Sequence, residues 1–242
     1  MAKLYVFVLA SLVLTLTPAT SMGQTSDGPE TVVVHNGPVT LHAMVWRPQG
    51  SGPFPAILLN QGSGSSREQL ERLGPYERNA ETLGPAFSRH GYVFLYLFRH
   101  GVGASSDQGP NPFDLMNKES NEHGQEARNT LQLRLLENRD MDDALSGLKY
   151  LRTLPYVDAR DVGAVGHSFG GSLTVLLAER EPNLRAIIVF SGAAYSFDRS
   201  PALRARLLTA IDRIAVPVFF IHAENDYSLS SGKDWTPAAS RS

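Results

Sequence analysis

The chain has no cysteine among its 242 residues. That excludes a thiol nucleophile, a thiolate metal site, a disulfide framework and a lipid attached through an N-terminal cysteine. Charge of one sign is also scarce. The 22 Lys and Arg against 24 Asp and Glu leave a formal net charge of -2, with no basic stripe and no run of like charge. Nucleic acid is therefore not an expected partner. No apolar run reaches the roughly 20 residues of a membrane span. The longest covers residues 4–16, follows the lone Lys3 and leads into the small residues around Ser21-Met22-Gly23. Residues 1–23 read as a secretory signal peptide cleaved before Gln24. The expectation is a secreted or periplasmic protein with no stable membrane insertion after cleavage. No metal-ligand spacing and no internal repeat occur. One further absence matters most: no histidine follows Asp226.

What is present suffices for one α/β domain over residues 24–242, with 42% of the chain hydrophobic. TVVVHN and VTLHAMVW flank Asn36-Gly37, a hairpin signal. The apolar residues 56–59 read as a buried strand ending in the glycine-rich NQGSG. A helix over 76–90 precedes the buried strand GYVFLYLFRHG. Segment 103–124, rich in Gly, Pro and Asn, is expected to be irregular and to cover the cleft as a cap loop. Its Phe113, Leu115 and Met116 are candidates to line an acyl pocket or to anchor a solvated loop. Residues 125–153 read as one long helix with Met141, Ala144, Leu145, Leu148 and Leu151 on one face. Then come a strand in DVGAVGHS, a helix over 169–180, a strand in RAIIVFSG, a helix over 201–213 and the strand VPVFFIH. Strands that are apolar runs and alternate with helices predict a mostly parallel sheet with helices on both faces.

Gly166-His167-Ser168-Phe169-Gly170 fits G-x-S-x-G and sits where that motif requires, after a strand and at the start of a helix. A turn that tight needs small neighbours, and the glycines supply them. Ser168 is the candidate nucleophile, its hydroxyl raised above the sheet edge over a helix N-terminus that favours developing negative charge. Acyl transfer also needs two N–H groups for the oxyanion. One is expected from Phe169, the other from Ser63 in Asn60-Gln61-Gly62-Ser63-Gly64. A phosphate loop is disfavoured there because Gly-Lys-Ser/Thr is absent. Asp226, just beyond VPVFFIH, is the candidate acid, with Glu224 its nearest rival.

LLNQGSG, FRHGVGAS, YVDARDVGAVGHSFGG and VPVFFIHAENDYS together resemble the α/β-hydrolases, and within them the dienelactone hydrolase-like and related serine esterase families. The resemblance runs from about residue 31 to 230. It implies hydrolysis of carboxylic esters or related acyl compounds without a cofactor. By position it matches Ser168 to the nucleophile and Asp226 to the acid. The dienelactone hydrolases proper use a cysteine nucleophile, so a serine here points away from dienelactone as the substrate. LNQG stands where many members have a His-Gly pair, but the loop contributes backbone groups.

In this fold the triad runs Ser, Asp, His along the chain. The histidine is expected beyond one more helix and strand, and only 16 residues follow Asp226. The reading is that this last helix and strand are missing. Among the seven upstream histidines, His100 in RHGVGAS is the best substitute base. His167 is expected to pack into the sheet, His222 to support a loop, and His35, His42, His90 and His123 to lie on the surface or in the hairpin. Two explanations stand: a chain that has lost its natural C-terminus, or a folded protein with weak catalysis or none. The functional readings are a serine hydrolase of small-molecule esters, a prolyl oligopeptidase-type peptidase, and a non-catalytic protein on a hydrolase scaffold.

Overall fold

The structure is a computed structural model that describes residues 28–62 and 77–239, with the backbone alone for 236–239. The signal-peptide reading and Ser63 lie outside the described residues. Seven strands form one sheet: β1 (Glu30–Asn36), β2 (Val39–Trp46), β3 (Phe54–Asn60), β4 (Val93–Leu97), β5 (Val157–His167), β6 (Ile187–Phe190) and β7 (Val218–Ile221). Their order is β1-β2-β4-β3-β5-β6-β7. The β1–β2 hairpin is antiparallel, β2 joins β4 antiparallel, and the remaining pairs are parallel. The sheet is thus mixed, with a parallel majority, as the apolar strand runs imply.

Helix α1 (Glu77–Arg89) covers one face through Ala80 and Gly84, which meet a cluster of Trp46, Leu59, Phe94, Tyr96, Phe98 and Val165. The other face carries the larger core. Against it lie α2 (Pro112–Glu137), α3 (Arg139–Thr153), α4 (Phe169–Arg180) and α5 (Pro201–Ile211). Gly147 shows how close this packing is: a Cβ there would stand 3.1 Å from both Leu58 and Leu97.

Three sequence expectations need correction. Segment 103–124 is not irregular. Residues Gly103–Gln108 form a 3-10 turn held on β2 by Ser105 and Gln108, whose side chains accept from the His42 and Thr40 N–H groups. From Pro112 the chain is helical, because the Asn111 side chain caps the Phe113 and Asp114 N–H groups and Pro112 opens the first turn. Met116 is buried in the core rather than lining a pocket. Second, 125–153 is not one helix. It breaks at Asn138 (φ -121°, ψ -94°), and the helix before it is interrupted at Gly124 (φ 86°). Third, a helix does follow β7: α6 (Ser230–Ala239). Its anchor is Trp235, fully buried against Phe197 and Phe220. Among the described residues no strand follows α6.

Candidate active site

The parallel register aligns the C-terminal ends of four strands. Asn60 pairs with Gly166, His167 with Phe190, and Phe190 with Ile221. The loops leaving β3, β5 and β7 therefore meet at one sheet edge, where an α/β sheet places its ligands.

Ser168 stands on the corner between β5 and α4 with φ 54° and ψ -114°. A non-glycine residue at such angles carries about 1–3 kcal/mol of backbone strain. The corner is fixed on several sides. The Ser168 N–H donates to Phe190 O at 2.9 Å, and Ser168 O accepts from Ser172 N and Ala193 N. The glycines around it are sterically required. A Cβ on Gly166 would collide with Gly170 O and Thr174 Oγ1, and one on Gly170 with the carbonyl oxygens of Asn60 and Gln61. A Cβ on Gly171 would lie 2.8 Å from Gly192 Cα. The β3 loop is thus pressed directly onto the first turn of α4. Asn60 Nδ2 donates to Thr174 Oγ1 at 2.9 Å and ties the two together. The Ser168 hydroxyl does not cap its helix and forms no hydrogen bond among the described residues. It is half-buried at the cleft.

Asp226 follows β7 at the same edge. Its carboxylate is 9% exposed. Oδ1 accepts from Tyr227 N at 2.8 Å, while Oδ2 is buried without a donor. Glu224, the rival, is exposed. His222 Nδ1 lies 3.6 Å from Asp226 Oδ2, too long for a hydrogen bond, and both its ring nitrogens are buried and unpaired. A Cβ on Gly232 would come within 2.7 Å of that ring, so α6 closes over it.

The other histidines divide sharply. His100 Nδ1 sits 2.6 and 2.8 Å from the two oxygens of buried Asp143, whose Oδ1 also accepts from Asn36 Nδ2 and whose Oδ2 accepts from the His100 N–H. Its polar contacts tie the segment after β4 to Asp143 of α3, which also holds the hairpin through Asn36, and none joins it to Ser168. His167, by contrast, is not packed into the sheet. Its ring has an exposed edge and lies beside the β3 loop: a Cβ on Gly62 would be 3.5 Å from His167 Nδ1 and 3.7 Å from Ser168 Cβ. Protein crowding on its other sides holds the imidazole below its ordinary pKa, and the charge of Asp226 draws it partly back. Among the described residues no group of three His, Cys, Asp or Glu side chains could hold a metal ion.

The model of the dienelactone hydrolase family matches residues 76–236. The chain belongs to this family. Its fold is that of the α/β-hydrolases at large. It superposes on the acylaminoacyl peptidase of Pyrococcus horikoshii with a TM-score of 0.60 at 18% identity, covering 88% of this chain and 35% of that one. On dipeptidyl peptidase 4 of Porphyromonas gingivalis the TM-score is 0.59 at 20% identity, covering 88% and 30%. A Klebsiella pneumoniae structure assigned to the dienelactone hydrolases gives 0.56 at 15% identity, covering 88% and 80%. At these identities the likeness is one of fold, and the chain spans about a third of the length of the two peptidases. No curated protein sequence matches.

For a dienelactone hydrolase family member, the sequence reading missed two residues at this edge. The orientation of His167 was hidden because the simple alternation of a strand fails where Ser168 turns to positive φ. Arg99 is buried beneath the β3 loop, and its signal in the sequence is an arginine directly after the apolar run VFLYLF.

Proposed function

We propose that this chain is a serine hydrolase that cleaves carboxylic esters or related acyl compounds through an acyl-enzyme on Ser168. The observation that carries the reading is the strained corner at Ser168, with φ 54° and a hydroxyl left free of local bonds. Strain of this kind is retained where a side chain must be presented. In the proposed reaction, Ser168 Oγ attacks the ester carbonyl. The oxyanion is received by the Phe169 N–H at the start of α4 and by an N–H of the β3 loop, assigned to Ser63. The hydroxyl proton passes to an imidazole in the field of Asp226. Among the described residues His167 meets that requirement, since it is the histidine beside Ser168 and feels the Asp226 charge. The imidazolium returns the proton to the departing alcohol. Water, deprotonated in turn, then releases the acid. The reaction calls for no cofactor. The signal-peptide reading of residues 1–23 puts it outside the cytoplasm.

One observation favours a second reading, a hydrolase scaffold with weak or absent catalysis: no described histidine hydrogen-bonds the Ser168 hydroxyl. A peptidase reading has the fold of the two peptidases behind it and nothing more specific. The deciding test is intact mass after treatment with a fluorophosphonate, with Ser168→Ala as control. One adduct, lost in the variant, supports the serine hydrolase. Folded protein that takes no adduct supports the second reading. Turnover of a peptide amide but not of simple esters would select the peptidase.

A further inference from the structure

We infer that Arg99 is a positioning residue of the oxyanion site, its guanidinium fixing the backbone carbonyls of Gln61 and Gly62. The inference rests on the serine hydrolase reading above. Arg99 follows β4 and is 1% exposed. Nη1 donates to Gln61 O at 2.8 Å and Nη2 to Gly62 O at 3.0 Å. Nε stands 3.3 Å from Asp140 Oδ1 at the start of α3, and Asp140 is fully buried. The guanidinium also lies 5.3 Å from the centre of the Phe169 ring. One side chain therefore bonds the backbone of the β3 loop and lies over the ring of Phe169, whose N–H is the other assigned donor.

The geometry explains why it is an arginine. Burying an ion pair is expensive in desolvation, and an apolar pair would fill the space as well or better. A rigid fork, however, holds two adjacent carbonyls at once, which a lysine ammonium does not. A trans peptide unit points its N–H opposite to its C=O. Holding the Gln61 carbonyl down onto Arg99 therefore turns the N–H of the same unit, that of Gly62, the other way, and Gly62 lies beside Ser168: a Cβ on it would be 3.7 Å from Ser168 Cβ. Among the described residues no other side chain is shown bonding these two carbonyls. The Gln61 amide has no hydrogen-bond partner at either Oε1 or Nε2, and Asn60 anchors only the root of the loop.

The test is the rate of fluorophosphonate labelling in Arg99→Lys, followed by intact mass over a range of reagent concentrations. The lysine keeps a cation opposite Asp140 but loses the fork. The expected result is a maximal labelling rate slowed about 100-fold, the scale of a displaced or lost oxyanion donor, with an unchanged half-saturating concentration. A second variant guards against misfolding. Arg99→Met with Asp140→Leu removes the buried pair together, leaves Arg139 its bond to Pro110 O, and, once a cooperative urea transition shows it folded, is expected to label at least as slowly. Wild-type rates in either folded variant overturn the inference and leave the serine hydrolase reading intact. A parallel fall in affinity and rate marks general damage to the cleft and also overturns it. A wild-type protein that takes no label overturns the functional reading, and the inference with it.

Discussion

Replacing Ser168 by glycine should make this protein more stable while removing its nucleophile. Ser168 holds φ 54° and ψ -114°, outside the regions an L residue prefers, at an expected strain of about 1–3 kcal/mol. Glycine reaches positive φ freely, so the strain is released. Against this, glycine gives the unfolded chain more freedom, at roughly 0.5–1 kcal/mol. No hydrogen bond of the hydroxyl is lost, because it makes none among the described residues. The net expectation is a gain of up to about 2.5 kcal/mol, or several degrees in Tm for a domain of this size. Ser168→Ala isolates the cause, since alanine loses the hydroxyl yet keeps the strain, and should melt close to wild type. Urea titrations of the three proteins would measure the differences at a common m value. A glycine variant no more stable than the alanine variant would refute the reasoning. The corner would then be held without strain, and the main support for a presented nucleophile would go with it.

His100→Gln should lower stability by about 1–3 kcal/mol, by leaving the buried Asp143 carboxylate short of a donor, yet leave the labelling rate of Ser168 within a few-fold of wild type. A hundredfold loss of labelling in the folded variant would restore His100 as the base. His167 titrates below its ordinary value of 6.5 because crowding disfavours its charged form. The unfolded chain therefore takes up this proton first as the pH falls. Its contribution to stability is full above about pH 6.5 and declines through the lowered folded value. Urea midpoints at pH 8, 6.5 and 5 should fall less steeply in His167→Gln than in wild type, and equal slopes would count against a crowded, neutral His167.

The parts of this molecule legible from sequence are those whose cause is local. The strand β5, the corner at Ser168 and the helix α4 follow from an apolar run, a G-x-S-x-G spacing and glycines whose missing Cβ atoms are each demanded by a neighbour. Residues 112–123 have the composition of a loop and yet are helical. Their helix depends on the Asn111 cap and on Met116 reaching a core built by distant strands. The break at Asn138 interrupts no pattern visible in the sequence, since apolar residues continue on both sides. Helix α6 reaches the core through one large side chain, Trp235, and one aromatic makes no period. The polar contacts of Arg99 with Gln61 and Gly62 join residues far apart in the chain, so no spacing encodes them.

The electrostatics of Asp226 tie these observations to the chemistry. Its Oδ2 is buried, accepts no hydrogen bond, and has His222 at a distance too great to provide one. A carboxylate oxygen in that state is costly, on the order of 1–3 kcal/mol. Covered by α6 and with both nitrogens out of reach of solvent, His222 does not carry a proton to or from a substrate. The remaining histidine in the field of Asp226 is His167, whose imidazole is held toward its neutral form in the resting protein. Attack by Ser168 would place a proton, and a positive charge, on that ring. Asp226 would then meet a cation that the resting state lacks, so its stabilisation would be larger in the transition state than before it. That difference, rather than any contact already made in the free protein, is what accelerates a reaction.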